Sequence, residues 1–367
     1  MVPARGAWAG RYRARQLDGE RRRERPARHL PLRPGPDRRD AACPPLRQRG
    51  AGVSGPAKGK IIGVGRALGG RVVTNKDLES VLDTTDDWIS SRTGIHERRF
   101  VEEGETCATL ATGAARNALE HAGVGGDSID LIICGTSTAP ESMPSVACLV
   151  GEEVGAAGVG AMDLSAACSG FSYAASVASA MIGAGSAGRV LLIGADAMST
   201  VVDQTDRSTA VLFGDGAGAV ILDAGDGESG FVDHILGADG GGAPLGRAGQ
   251  PGDENKLYQN GREVFKFAVR ILPDMFEKLL SRNDLTPDDV QYVIPHQANA
   301  RIIRSAAKKM DLPEERIVMN LDRFGNTSAA SIPLSYPDIF DDMEPGKYVV
   351  TVGFGFGLTW AANLYRI

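Results

Sequence analysis

Three things are scarce in this 367-residue chain, and each scarcity closes off a class of function: cysteine, long apolar runs and a net positive charge. Five cysteines (Cys43, Cys107, Cys134, Cys148 and Cys168) form neither a CxxC pair nor a regular framework. That excludes a zinc site and a disulfide scaffold, and it fits a reducing cytoplasm. The apolar stretches at 190–195 and 349–354 are strand-length and bounded by glycine, far short of the about 20 residues needed to cross a bilayer. No membrane partner is expected. Two glycine-rich segments, GVGRALGG at 63–70 and GFGFG at 353–357, lack the GxGxxG spacing and no Walker lysine follows them, so they read as structural turns and not nucleotide loops. Abundant instead are 47 glycines and 43% hydrophobic residues beside 23% charged ones, the composition of a soluble globular α/β protein long enough to bury large cores.

Charge is unevenly placed. Residues 1–50 hold 14 arginines, no lysine and 5 acidic residues, leaving 26 basic and 41 acidic residues over 51–367, a net of −15. An acidic body disfavours phosphate contacts, so no nucleic acid partner is expected. The leader over 1–57 is rich in Arg, Pro, Ala and Gly and reads as unfolded. It has no apolar segment for a secretory signal, and the lack of serine together with five acids over residues 1–50 argues against a transit peptide. A start codon placed too early, with initiation near Val53, would account for the abrupt change of composition.

The rest of the chain resembles itself. ALEHAGVGGDSIDLIICG at 118–135 parallels KLLSRNDLTPDDVQYVIPH at 278–296, and GRVLLIGADA at 188–197 parallels GKYVVTVGFG at 346–355, both at an offset near 160. The spacing predicts two similar α/β halves, 58–225 and 226–367, whose apolar strands are covered on both faces, giving an α/β/α/β/α layering. SGFSYAASVASAMIGAG, after Cys168, is small and apolar nearly all round, as expected of a central helix between sheets.

Three residues stand where strands hand over to helices. Cys168, in MDLSAACSGF, opens that small-residue helix. A helix N-terminus makes a thiol more acidic and can hold an oxyanion beside it, although an ordinary cysteine is a buried small hydrophobe. His296 follows the strand VQYVIP, at the kind of strand end that hosts function in α/β sheets, though a lone histidine is commonly structural. Asn326, in GNTSAASIP, likewise begins a predicted helix, where asparagine is an ordinary cap. Cys168 and Asn326 are 158 apart, the offset of the strand pairs, so equivalent helix starts would bring thiol, imidazole and carboxamide to one pocket.

With DTTDDWISSRTGIHERR, AACSGF, DRSTAVLFGDGAGA, PHQANARII, GNTSAASIP and GFGFGLTW in place, the sequence from about Lys60 to the C-terminus resembles β-ketoacyl-acyl carrier protein synthase III. That family has a thiolase-like fold and initiates type II fatty acid synthesis. The resemblance implies a catalytic triad of Cys168, His296 and Asn326, an oxyanion hole from the amides of Cys168 and Phe356, no cofactor, no metal and a homodimer. A small residue is usual where this chain has Phe356; the amide is kept, and the pocket shape changes. Met143 occupies the position that bounds the acyl pocket across the dimer interface.

Thr84 or Thr85 can cap a helix that sets Trp88 and Arg92 four residues apart, a pair able to sandwich a nucleobase or to form one face of an ordinary surface helix. The resemblance favours the adenine of coenzyme A, with Arg207 nearby. Arg301, Arg304, Lys308 and Lys309 recur at helical spacing after His296, as do Arg262, Lys266 and Arg270. Such runs are commonly solvated faces, yet an acidic enzyme needs a basic patch to dock an acidic carrier protein. The family's carrier-protein site falls on Gln297, Ala298, Asn299, Ala300, Arg301, Lys308 and Lys309, with Lys266 added. Rival readings are a Cys-His-Asn hydrolase, a non-catalytic partner subunit, and a relative that primes a polyketide or other secondary pathway.

Overall fold

Runs of Val, Ile and Leu too short for helices and flanked by glycine make strands buried on both faces. In the computed structural model, which describes residues 58–367 apart from Asp226 and Asn255, nine strands of five or more residues form two sheets. They are β1 (Lys60–Leu68), β2 (Leu131–Gly135), β3 (Gly160–Leu164), β4 (Arg189–Ala197), β5 (Asp215–Asp223), β6 (Gly230–Ala238), β7 (Val290–Pro295), β8 (Tyr348–Gly355) and β9 (Thr359–Arg366). The leader expected to be unfolded over 1–57 lies outside the described residues.

The first sheet runs β1-β5-β4-β2-β3 and the second β6-β9-β8-β7. Reading inward from β1 and β6, each has two antiparallel pairings followed by a parallel one: β1 to β5, β5 to β4, then β4 to β2; and β6 to β9, β9 to β8, then β8 to β7. The first sheet adds β3, parallel to β2. The strand pairs matched in the sequence, 131–135 with 290–295 and 189–197 with 348–355, hold equivalent places in the two sheets.

Among the described residues six α-helices have eight or more residues: α1 (Asp86–Thr93), α2 (Cys107–Ala122), α3 (Val146–Val154), α4 (Gly170–Gly183), α5 (Gly261–Arg282) and α6 (Ala300–Met310). Helix α2 packs on β1, β4 and β5, outside the first sheet, while α5 packs on β6, β8 and β9, outside the second. Helix α4 touches strands of both sheets, as its small residues require. Phe171, Ala174, Ala175, Ala178 and Ile182 are buried in one cluster with Ile133, Leu192 and Val220 of the first sheet and Ile294 and Val349 of the second. The layers are therefore α/β/α/β/α.

One expectation fails. Asn326 does not open an α-helix; it precedes a 3-10 turn, Ser328–Ala330, followed by a second 3-10 segment, Pro333–Asp338. Pro333 and Pro337 remove the N–H groups a longer α-helix would need. This irregular chain lies directly on the first sheet, because a Cβ built at Gly194 of β4 would stand 2.4 Å from the Ala329 carbonyl oxygen and 2.9 Å from Pro333 Cγ.

Gly194→Ala should therefore destabilise the protein by about 1–3 kcal/mol, the usual effect of overpacking against backbone that cannot retreat. Gly240→Ala, where an added Cβ meets nothing within 4 Å, should change stability by less than about 0.5 kcal/mol. Urea unfolding of the two variants checks this; equal midpoints would contradict the close contact.

Candidate active site

The site lies where the two sheets meet around the start of α4. Cys168 sits in a 3-10 turn, Ala167–Ser169, just before that helix, and Ala167 takes a left-handed conformation (φ +47). Thr359 at the head of β9 ties this turn to the second sheet: its hydroxyl donates to the Ala166 carbonyl at 2.9 Å and accepts from Ser169 Oγ at 2.8 Å. Gly355 lets β8 pass so close that a Cβ there would lie 2.6 Å from the Cys168 nitrogen. The chain at Phe356 is thereby brought beside the Cys168 turn.

Asn326 is gripped as a short parallel bridge to Phe213: its N–H donates to the Leu212 carbonyl at 2.8 Å and its carbonyl accepts from Gly214 N–H at 3.0 Å. The neighbouring Val211 carbonyl is held in turn by the buried Arg98 guanidinium at 2.8 Å. Asn326 Oδ1 accepts the Ser328 N–H at 2.9 Å, which leaves Nδ2 as the side chain's donor. His296 follows β7, with its N–H donated to the Val352 carbonyl at 2.8 Å. Its Nδ1 lies 2.7 Å from Ser331 Oγ, and when the serine hydroxyl donates there the proton resides on Nε2.

Cys168, His296 and Asn326 line one cavity of about 230 Å³, whose walls include Phe213, Phe354 and Phe356. All three are buried, at 9%, 1% and 6% exposure. Burial pushes His296 down to about 3, so the imidazole is neutral at physiological pH. Burial also pushes the Cys168 thiol up to about 12, against the opposing hydrogen bond from Ser328 and with the charge of Asp196 raising it further. The expectation of a more acidic thiol is thus reversed: the sulfur is shut away from water, and desolvation of the anion exceeds the help of the one side-chain donor it meets.

Trp88, Arg92 and Arg207 stand at the outer part of the same cavity. Thr85 caps α1, its Oγ accepting from Trp88 N–H at 3.1 Å. The guanidinium over the indole is that of Arg207, 5.0 Å from the ring centroid, while Arg92, set one turn after Trp88, lines the same cavity. The ring reaches toward the loop after β4, whereas Arg92 closes α1, its carbonyl accepting from Asn299 Nδ2 at 3.1 Å.

The residues expected to meet a carrier protein divide by burial. Arg301, Lys308 and Lys309 are exposed on α6 and Lys266 on α5, where it pairs with Glu263 at 2.7 Å. Arg304 pairs with Glu314 at 3.0 Å. Gln297 is fully buried, donating to the Pro295 and Val318 carbonyls at 2.7 and 3.0 Å and accepting from Asn320 N–H at 3.0 Å. With its amide committed on both sides, Gln297 is a structural brace, a correction to its expected place in the docking surface. Ala300 is buried as well, under Gly94. Ala298 and Asn299 line the cavity mouth, and Met143 is 81% exposed.

Residues 162–240 match the family model described as 3-oxoacyl-[acyl-carrier-protein (ACP)] synthase III, and residues 280–367 match the model of its C-terminal part. The β-ketoacyl-[acyl-carrier-protein] synthase III of Rubrobacter xylanophilus is 74% identical over 312 residues, 85% of this chain and 99% of that protein. The chain belongs to the β-ketoacyl-acyl carrier protein synthase III family. Its fold is similar to the 3-oxoacyl-[acyl-carrier-protein] synthase III of Aquifex aeolicus, with a TM-score of 0.81 at 43% identity over 84% of this chain and all of that one. The priming β-ketosynthase of the R1128 polyketide pathway is similar at 33% identity and a TM-score of 0.80, over 87% of this chain and 99% of that one. The thiolase-like fold is thus established.

Around this synthase III site lie groups that the sequence reading passed over. Asp196, fully buried at the end of β4, accepts from Ser137 N–H at 2.8 Å, Thr138 Oγ at 2.8 Å, Thr136 Oγ at 3.2 Å and Ala329 N–H at 3.0 Å. It pins the turn after Asn326 to the first sheet. Ser331 touches His296 and Ser328 touches Cys168 directly. All three lie in motifs recognised by sequence, GADA and GNTSAAS, but serine and aspartate there look like ordinary caps. Among the described residues no cluster of three His, Cys, Asp or Glu is placed to hold a metal.

His296 and His234, the latter pushed down to about 4 by burial and by the charge of Arg282, are both neutral in the fold but titrate near 6.5 when unfolded. The unfolded chain therefore binds more protons below pH 6.5, and stability falls as the solution is acidified. We expect a loss of up to about 2 kcal/mol per histidine at pH 5, and a shallower loss in His234→Gln. Asp215, raised to about 6 by burial, works in the opposite direction over this range, so the decisive quantity is the difference: equal losses of urea midpoint between pH 7 and 5 in the parent protein and in His234→Gln would contradict this.

Proposed function

We propose that this chain catalyses the decarboxylative condensation of an acyl-coenzyme A starter with malonyl-acyl carrier protein. The product is a 3-oxoacyl-acyl carrier protein, and the reaction begins fatty acid synthesis. The observation that carries the reading is the convergence of a thiol, a neutral imidazole and a carboxamide donor on one water-poor cavity in a chain of this family.

In the first half-reaction Cys168 sulfur attacks the thioester carbonyl. The acyl–sulfur bond to Cys168 forms, the bond to coenzyme A breaks, and the thiol proton leaves with the coenzyme A sulfur. The amides of Cys168 and Phe356 stabilise the tetrahedral oxyanion. In the second, malonyl loses carbon dioxide and its thioester oxygen gathers negative charge, met by His296 Nε2–H and Asn326 Nδ2–H. Both are neutral donors, suited to a site where burial opposes a permanent positive charge. The carbanion attacks the acyl-Cys168 carbonyl, a carbon–carbon bond forms, and Cys168 sulfur departs and regains a proton taken up from solvent, the one proton the condensation consumes overall. No cofactor enters; coenzyme A is part of the substrate.

Adenine of coenzyme A fits beside Trp88 and Arg207, an indole and a guanidinium already stacked, with Arg92 near for phosphate. Arg301, Lys308, Lys309 and Lys266 supply the basic face for the carrier protein. A homodimer accords with the exposed Met143 and with the free edge of β3, where Met162 is 39% exposed. The cytoplasm suits four free cysteines among the described residues, none of whose helices is long and apolar enough to cross a membrane. The identity to a β-ketoacyl-[acyl-carrier-protein] synthase III, 74% against 33% for the polyketide-priming enzyme, favours primary fatty acid synthesis.

Cys168→Ala should abolish acyl transfer from acyl-coenzyme A. His296→Ala and Asn326→Ala should each lower malonyl decarboxylation about 100-fold, the usual loss for one oxyanion donor, while leaving acylation of Cys168 within a few-fold. Separate assays of the half-reactions test this, and equal loss of both would overturn the division of roles.

Arg301→Glu should lower kcat/KM for malonyl-acyl carrier protein about 10-fold or more without changing that for acyl-coenzyme A, because it replaces attraction by repulsion on the docking face only. The effect should shrink with added salt, which screens exposed charges beyond about 8 Å at physiological ionic strength. An unchanged ratio of the two efficiencies at low and high salt would reduce this face to a solvated surface.

A further inference from the structure

Ser328 has no part in the two half-reactions as written, yet it touches two of the three residues that do. It is 2% exposed and adopts a left-handed backbone (φ +52). In that conformation its N–H meets Asn326 Oδ1 at 2.9 Å while its hydroxyl points the other way, donating to Cys168 Sγ at 3.4 Å. Asp196 fixes the turn through the next amide, Ala329 N–H, at 3.0 Å. The Ser328 hydroxyl also lies against the Asp196 carboxylate, but that carboxylate already receives four other donors, from Thr136, Ser137, Thr138 and Ala329, and the serine proton is directed to sulfur.

We propose that Ser328 is a fourth catalytic residue, whose hydroxyl donates a hydrogen bond to the sulfur of Cys168 whenever that sulfur carries negative charge. The inference rests on the role assigned above to Cys168. Sulfur is anionic twice in the cycle: as it attacks the acyl thioester and as it departs after condensation. Ser328 keeps its proton in both; the thiol proton goes to coenzyme A in the first and one is regained by Cys168 in the second. The donor matters because the surroundings are hostile to a thiolate. The ionisable groups placed around the sulfur are the Asp196 carboxylate, which repels it, and the His296 imidazole, which burial keeps neutral. A hydrogen bond to a charged acceptor in such a place is worth more than one between neutral groups.

The test is Ser328→Gly, which removes the hydroxyl while glycine keeps the left-handed backbone without strain, with Ser328→Ala beside it. Three rates are measured: alkylation of Cys168 by iodoacetamide between pH 7 and 9, acyl transfer from acyl-coenzyme A, and malonyl decarboxylation. Alkylation and acyl transfer should each fall at least 10-fold, although the cavity is wider, and decarboxylation should stay within about threefold because the N–H to Asn326 is retained. Alkylation unchanged or faster in both variants would overturn the proposal. So would decarboxylation falling by the same factor as acyl transfer, which would make Ser328 only a positioning residue for Asn326. Alkylation requires neither proposed substrate, so its outcome is independent of whether the assigned reaction is right.

Discussion

Desolvation at the seam between the two sheets governs this site. Water is nearly excluded from Cys168, His296 and Asn326, and from that one condition follow a neutral imidazole and a thiol that resists ionisation. A buried charge must be met by donors fixed in advance, since no solvent can turn to face it. In the proposed reaction those donors are the Asn326 carboxamide, the His296 imidazole, whose Nδ1 lies against Ser331 Oγ, and the backbone amides at Cys168 and Phe356. Donors so fixed strengthen an interaction most where charge appears briefly, which is the requirement of a reaction passing through an oxyanion, an enolate and a thiolate in turn.

The fold explains why those donors are stationary. Helix α4 runs between the two sheets directly after the Cys168 turn and is small enough to be touched by both. Gly355 brings the second sheet against its first turn, and Gly194 lets the Asn326 segment rest on the first sheet. The buried Asp196 then locks that segment from below. The Gly355, Gly194 and Asp196 contacts each join parts of the chain more than 130 residues apart, so this seam is registered by the cores themselves and not by flexible loops.

The sheets were legible because a strand buried on both faces leaves an unbroken run of Val, Ile and Leu, and the same run twice at one offset betrays the repeated pairing. Cys168, His296 and Asn326 were legible through that offset and through the family motifs around them. Side-chain state was not. The burial of Gln297, the stacking of Arg207 on Trp88, and the reversed shift of the Cys168 thiol depend on contacts between distant segments, which no local spacing encodes. The 3-10 turns after Asn326 were signalled by Pro333 and Pro337, but the symmetry with Cys168 argued more loudly for a helix. Asp196 and Ser328 escaped because aspartate and serine near turns have so many ordinary uses.

The central claim is that one sulfur carries the acyl group through a site shut off from water, and the most direct measurement follows that group in time. Protein is mixed with acyl-coenzyme A alone, quenched in milliseconds to seconds and weighed intact, then chased with malonyl-acyl carrier protein. The account predicts an adduct of the acyl mass on the peptide bearing Cys168, stable to water over many turnover times and discharged by the chase at the steady-state rate with 3-oxoacyl-acyl carrier protein appearing in step. An adduct that hydrolyses as fast as it forms, or that discharges more slowly than the enzyme turns over, would contradict it.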